Sequence, residues 1–224
     1  RITSRITAIR LRLRDSRLIS LYLSCLPLML FTFFMGMQMM YAKTVLSQMA
    51  GVTKQGIYAS ISNPTYAVQV FGQALFAPFL PVLARCIRTG DHKSFRGSLL
   101  KVTGILAGFL ALVLLASALL GRWVLMLFFG KKILTYYSLF IPVVLVIIIN
   151  TFVYWFQGVL VALRKNVLLA VGMIVDFMLF VILIRPAIEI FGMNGASYAQ
   201  ILSLGLYLLF EIIATAFNGK KIQE

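Results

Sequence analysis

Six apolar stretches, each set off by charges, dominate this chain: Leu18 to Tyr41, Gly56 to Ala84, Ser98 to Leu119, Tyr136 to Ala162, Val167 to Ile184 and Ala196 to Phe217. Each meets or nearly meets the roughly 20 residues a helix needs to span bilayer hydrocarbon. A soluble domain of 224 residues has too little interior to hide them, since 61% of residues are hydrophobic and only 12% charged. In lipid, backbone N–H and C=O groups must be paired within a helix or around a closed barrel. The short alternating segments of a barrel do not occur here. The first stretch is long and lacks a small-residue cleavage site after it, so it does not read as a signal peptide. The expected fold is an all-α membrane protein, a bundle of six transmembrane helices over 18–217. It is flanked by a basic amphipathic segment, 1–17, and a short tail, 218–224.

Lys and Arg divide unevenly between the two sides of such a bundle. One side collects fifteen: the six arginines up to Arg17, then Arg85, Arg88, Lys93, Arg96 and Lys101, then Arg164 and Lys165, and finally Lys220 and Lys221. The other has six: Lys43, Lys54, Arg122, Lys131, Lys132 and Arg185. Short loops rich in Lys and Arg stay in the cytoplasm, so both termini of this segment are expected there. The net charge of +15 lies at loop ends beside apolar spans, where anionic lipid headgroups account for it; no nucleic-acid partner is expected. In the first seventeen residues Ile2, Ile6, Ile9 and Leu13 recur at helical spacing among arginines. That pattern fits either a helix lying on the inner leaflet or a plain basic loop. Cys25 and Cys86 have no metal spacing and read as reduced packing residues. The chain opens on Arg within a charged run, and we expect a longer protein.

Function in such a protein is sought among polar residues inside the spans. Ser62, Tyr66, Gln69 and Gln73 follow i, i+4, i+7, i+11 along a stretch that also carries Asn63-Pro64, Pro78 and Pro81, which predicts a kinked helix polar on one side. Asn150, Tyr154 and Gln157 repeat the pattern in the fourth span. Two striped helices predict a polar cavity between spans, or else interhelical hydrogen bonds with no substrate. Asp176 is the one charge in the middle of the fifth span. Its placement costs on the order of 2.5–3.5 kcal/mol at a helix centre, so it is expected to face the bundle interior, as an ion-coupling site or as an acid that is protonated, or hydrogen-bonded to Asn150 or Gln157, and merely holds helices together. Gly172, one turn earlier, predicts a close neighbour. Glu211 is expected to snorkel to the cytoplasmic face, Gly104 and Gly108 to form a helix contact, and His92 to be solvated. No motif supports enzymatic chemistry, and neither metal nor cofactor is expected. The apolar run Leu120 to Leu134, too short to cross, is expected along the outer interface with Trp123 as anchor.

Several stretches carry a resemblance. "LSQMAGVTKQGIYASIS", "QALFAPFLPVLARCIRTGDHKSFRGSLLK", "VLMLFFGKKILTYYSLFIPVVLVIIINTFVYWFQGVLVALRKN" and "IEIFGMNGASYAQILSLGLYLL" resemble the second half of a Wzx-type polysaccharide flippase of the multidrug/oligosaccharidyl-lipid/polysaccharide exporter superfamily. The pieces that carry it are Gly56-Ile57-Tyr58-Ala59, Leu80-Pro81 before a basic loop, Phe129-Gly130, and Gly192-Met193-Asn194-Gly195-Ala196. The resemblance implies one lobe of a two-lobe transporter, with an N-terminal lobe of the same protein as its partner. It also implies translocation of an undecaprenyl-pyrophosphate-linked oligosaccharide across the bacterial plasma membrane by alternating access, as in O-antigen and lipopolysaccharide assembly. Relatives often have an acid just before Val45-Leu46-Ser47; here Ala42 and Lys43 stand there, which makes Lys43 a phosphate or sugar-acid contact. An ion-coupled multidrug antiporter of the same superfamily and a non-transporting scaffold are the alternatives.

Overall fold

A computed structural model describes residues 16–220. The expected basic amphipathic segment and C-terminal tail therefore fall, save for their inner ends, outside the described residues. Every element among those residues is helical: α1 Ser16–Ala50, α2 Val52–Phe76, α3 Leu80–Thr89, α4 His92–Phe129, α5 Phe140–Ala162, α6 Asn166–Phe191 and α7 Met193–Lys220, with 3-10 stretches at Ala77–Phe79 and Lys131–Leu139. Six spans are long and apolar enough to cross a membrane, with α2 and α3 together forming one. The chain is a multi-pass membrane protein.

The helices run through the charges that delimit the apolar stretches. α1 continues past Lys43 to Ala50, and α6 past Arg185 and Glu189 to Phe191. Charged side chains near span ends can reach headgroups without unwinding the backbone. The run from Leu120 is not a separate segment; it continues α4 to Phe129 and breaks only at Gly130, whose φ of 77° no β-branched or bulky residue adopts readily. α4 is thus about 57 Å long at 1.5 Å per residue, nearly twice the hydrocarbon thickness. Trp123 is exposed on it. Of the expected kinks, the break falls at Pro78, where three residues turn 3-10; Pro81 sits in the first turn of α3, and Pro64 is accommodated inside an unbroken α2.

Turns at one end of the bundle, between α3 and α4 and between α5 and α6, carry Arg88, Lys93, Arg164 and Lys165; we term this the basic end. Both turns close the same way. Gly90 (φ 69°) donates to the Ile87 carbonyl while Asp91 N–H reaches Cys86 O, and Arg164 (φ 59°) donates to Val161 O while Lys165 N–H reaches Leu160 O. Arg164 occupies the left-handed position that glycine fills in its counterpart, at a steric cost of about 1–2 kcal/mol. Arg164→Gly is therefore expected to raise the melting temperature, by relief of roughly 0.5–1 kcal/mol net of the extra freedom glycine gives the unfolded chain. Asp91 caps α4 by accepting from Ser94 N–H at 3.0 Å. That bond holds its carboxyl below the usual carboxylate range, so the cap is complete above that range and fades only as pH falls through the lowered value.

Packing order follows from which helices touch. α1 lies against α2 and α6, α6 against α7, α7 against α5, and α5 against α2, so these helices close a ring, while α4 packs outside it on α2, α3 and α5. Trp155, fully buried on α5, donates its indole N–H to Thr103 Oγ1 of α4 at 2.9 Å and ties the outer helix to the ring. Gly104 and Gly108 do not make the expected helix contact: each faces open space on α4. Helix association in lipid draws on close packing wherever it is available, and here it is found elsewhere. Gly195 sits against the Ala187 carbonyl, and Gly172 against the rings of Tyr207 and Phe210.

Candidate functional site

The two polar stripes meet. Tyr154 of α5 faces Tyr66 and Gln69 of α2. On one side of that contact Ser62 and Asn150 line a small cavity of about 40 Å³, joined by Lys43 and Gln38 from α1 and Gln200 from α7. On the other, towards the basic end, Gln73, Tyr154 and Gln157 line an open groove of about 560 Å³ floored by Leu80 and Pro81. Each α2 and α5 position named from the sequence therefore lies on one polar seam. Gln69 and Ser62 are buried within it, and Tyr66 is 37% exposed at its edge.

Local hydrogen bonds explain how polar residues are tolerated on α2. Ser62 Oγ donates to Tyr58 O at 2.7 Å and Thr65 Oγ1 to Ser62 O at 2.7 Å, so these hydroxyls are satisfied within their own helix. The amides lack such local partners and project into the seam. The cavity beside Ser62 and Asn150 has room for a few waters, not a sugar; of the two spaces on the seam, the groove at the basic end approaches ligand size.

Asp176 is buried at 4% exposure, about 15 Å along α6 from Asn166 and so near mid-membrane. It does not bond to Asn150 or Gln157. The polar side chains facing it are Gln38 of α1 and Ser203 of α7, which bond each other at 3.0 Å. Neither carboxyl oxygen reaches hydrogen-bond geometry. Gln38 thus touches both regions: it lines the small cavity and stands beside the acid. A lateral groove of about 310 Å³ between α6 and α7, walled by Gly172, Val175 and Phe210, also reaches Asp176. The neighbour that Gly172 admits is α7 itself.

Glu211 overturns its expected position. It is fully buried and neither oxygen has a partner, because α7 is helical through Lys220 and carries on for at least about 14 Å beyond this residue, past the reach of snorkelling. It lies within electrostatic reach of Asp176, beside Tyr207, whose hydroxyl donates to Leu169 O at 3.2 Å. Across the ring, Tyr58 OH pairs with Ser197 Oγ at 3.1 Å and donates to Gln200 at 3.4 Å. Sequence reading names Glu211 alone of this α7 row and misses Ser197, Gln200, Ser203 and Tyr207, although the spacing i, i+3, i+6, i+10, i+14 is a legible helical stripe. It also misses Gln38, the amide in mid-span of α1. Among the described residues no three His, Cys, Asp or Glu side chains come together as a metal site.

No family model, curated protein or solved structure matches the chain.

Proposed function

We propose that this chain is one lobe of a bacterial plasma-membrane flippase, which moves an undecaprenyl-pyrophosphate-linked oligosaccharide between leaflets by alternating access. The single observation that carries the reading is the polar seam of α2 and α5, with Lys43 of α1 on the same cavity as Ser62 and Asn150. Amides and hydroxyls along one line suit sugar hydrogen bonding, and the Lys43 cation on that line suits a phosphate. The excess of Lys and Arg at the basic end supports placing that end, and with it both termini of the segment, in the cytoplasm. Surface polysaccharide assembly, as for O-antigen or lipopolysaccharide, is the process such a carrier serves. Gln69→Ala with Gln73→Ala, introduced in the cell's own full-length protein, is expected to leave the lipid-linked oligosaccharide in the cytoplasmic leaflet at normal protein levels. Unaltered surface glycan in that double variant would remove the seam from the transport path.

A second reading rests on Asp176, unpartnered and reached by a lateral groove between α6 and α7. An ion-coupled antiporter of drugs or metabolites would use such an acid and would export cationic dyes in cells that make no glycan precursor. Dye transport that persists there at the level of glycan-producing cells would favour it over the flippase.

A further inference from the structure

His92 is not solvated as expected: its Nε2 is buried and has no hydrogen-bond partner. It stands at the mouth of a hollow of about 530 Å³ that opens at the basic end beside Arg96. An adjoining hollow of about 430 Å³ shares Leu99, Leu100, Thr215 and Ala216 with it and continues inward past Phe152 and Ile212. Together they form one channel between α4 and α7, which touch only lightly. Its inner lining is almost wholly apolar; its outer end is cationic.

Depth identifies what fits. From His92 to Thr103 is about 16 Å along α4, and from Gly219 back to Leu208 about 16 Å along α7. On α5, Phe152 lies about 15 Å from the helix end at Ala162. Three helices thus agree that the channel ends near half of the roughly 30 Å hydrocarbon thickness, the depth of one leaflet's acyl chains. Thr215 adds an independent sign. It is 2% exposed, lines both hollows, and its hydroxyl has no partner, not even on its own helix. It lies about one turn inward along α7 from Gly219, which lines the outer hollow, and so at the level of a phospholipid's ester groups. Asp91, the acid next to the mouth, is turned onto Ser94 N–H as the cap of α4.

We propose that this channel is a binding site for one anionic phospholipid of the leaflet at the basic end. The phosphate sits between Arg96 and His92, an ester carbonyl accepts from Thr215 Oγ1, and one acyl chain fills the space between α4 and α7. The lipid thereby supplies packing that the two helices do not supply to each other. The site stands apart from the α2–α5 seam and holds independently of the transport reading.

Native mass spectrometry of the purified protein offered equal phosphatidylglycerol and phosphatidylcholine tests it. Phosphatidylglycerol is expected to be retained in preference, and Arg96→Gln to reduce that preference roughly five-fold, the effect of removing one cation near the membrane surface. Arg96→Gln with His92→Gln should bring the two lipids near parity, while Ala216→Phe, which fills the channel, should lower retention of both. Melting in phosphatidylcholine confirms that each variant is folded. Equal retention by the unaltered protein, a preference that survives in the double variant, or retention unaffected by Ala216→Phe overturns the proposal. So does displacement of phosphatidylglycerol by inorganic phosphate, which would mark a headgroup-only anion site.

Discussion

Gly195→Val is expected to remove most folded protein from the membrane. Any Cβ at this position would meet the Ala187 carbonyl and the Ile188 nitrogen, which are backbone atoms and cannot rotate away. The variant must therefore prise α6 from α7 where their hairpin turns at Gly192. Overpacking of side chains alone costs about 1–3 kcal/mol, and a clash with backbone belongs at or above the top of that range. Gly205→Val on the same helix is the control, since a Cβ there meets nothing within 4 Å. Size-exclusion yield and melting temperature should collapse for the first and barely change for the second. Equal behaviour of the two would mean that α6 and α7 do not approach as described.

Asp176→Asn is expected to insert and fold normally yet to lose transport. Insertion becomes easier, because the amide removes a charge costing about 2.5–3.5 kcal/mol at a helix centre. What is lost is a group able to change charge inside the membrane. A unit charge moved through 100 mV is worth about 2.3 kcal/mol, close to a fifty-fold accumulation ratio, and that factor is the expected deficit if Asp176 couples transport to an ion. Export measured in cells whose membrane potential is set by ionophore reads this directly. Normal export by the asparagine variant would reduce Asp176 to a packing residue. Glu211→Gln makes the informative companion: a deficit like that of Asp176→Asn would mean that the two electrostatically linked carboxyls act as one site.

The six crossings are legible in the sequence because hydrocarbon demands about 20 apolar residues of any helix, and a run of that length has few other uses. Their ends are less so. Charges at Lys43, Arg122, Arg185 and Glu189 look like boundaries, yet helices persist through them, because long side chains can leave the hydrocarbon while the backbone stays paired. The α2 and α5 stripes are legible for a similar reason: amides in lipid must face inward, and i, i+4, i+7 spacing puts them on one face. Partners are not legible. Asp176 is flanked by Gln38 and Ser203, residues 138 and 27 positions away in the sequence, and only the ring order of helices brings α1 and α7 to it. Glu211 is the clearest loss: snorkelling is a matter of distance to a helix end, and α7 is still helical nine residues on, at Lys220. His92 illustrates the reverse, since a polar loop composition conceals a buried ring nitrogen at the start of α4.

Thiol accessibility tests the central claim, that the polar seam between α2 and α5 faces a water-reachable path while the opposite faces meet lipid. In a background with Cys25→Ala and Cys86→Ser, single cysteines replace Gln73, Gln157 and Ile182, the last 69% exposed on the outer surface of α6. A charged maleimide should label positions 73 and 157 in membranes and leave 182 untouched. Labelling at 182 with 73 and 157 silent in every state would contradict the account.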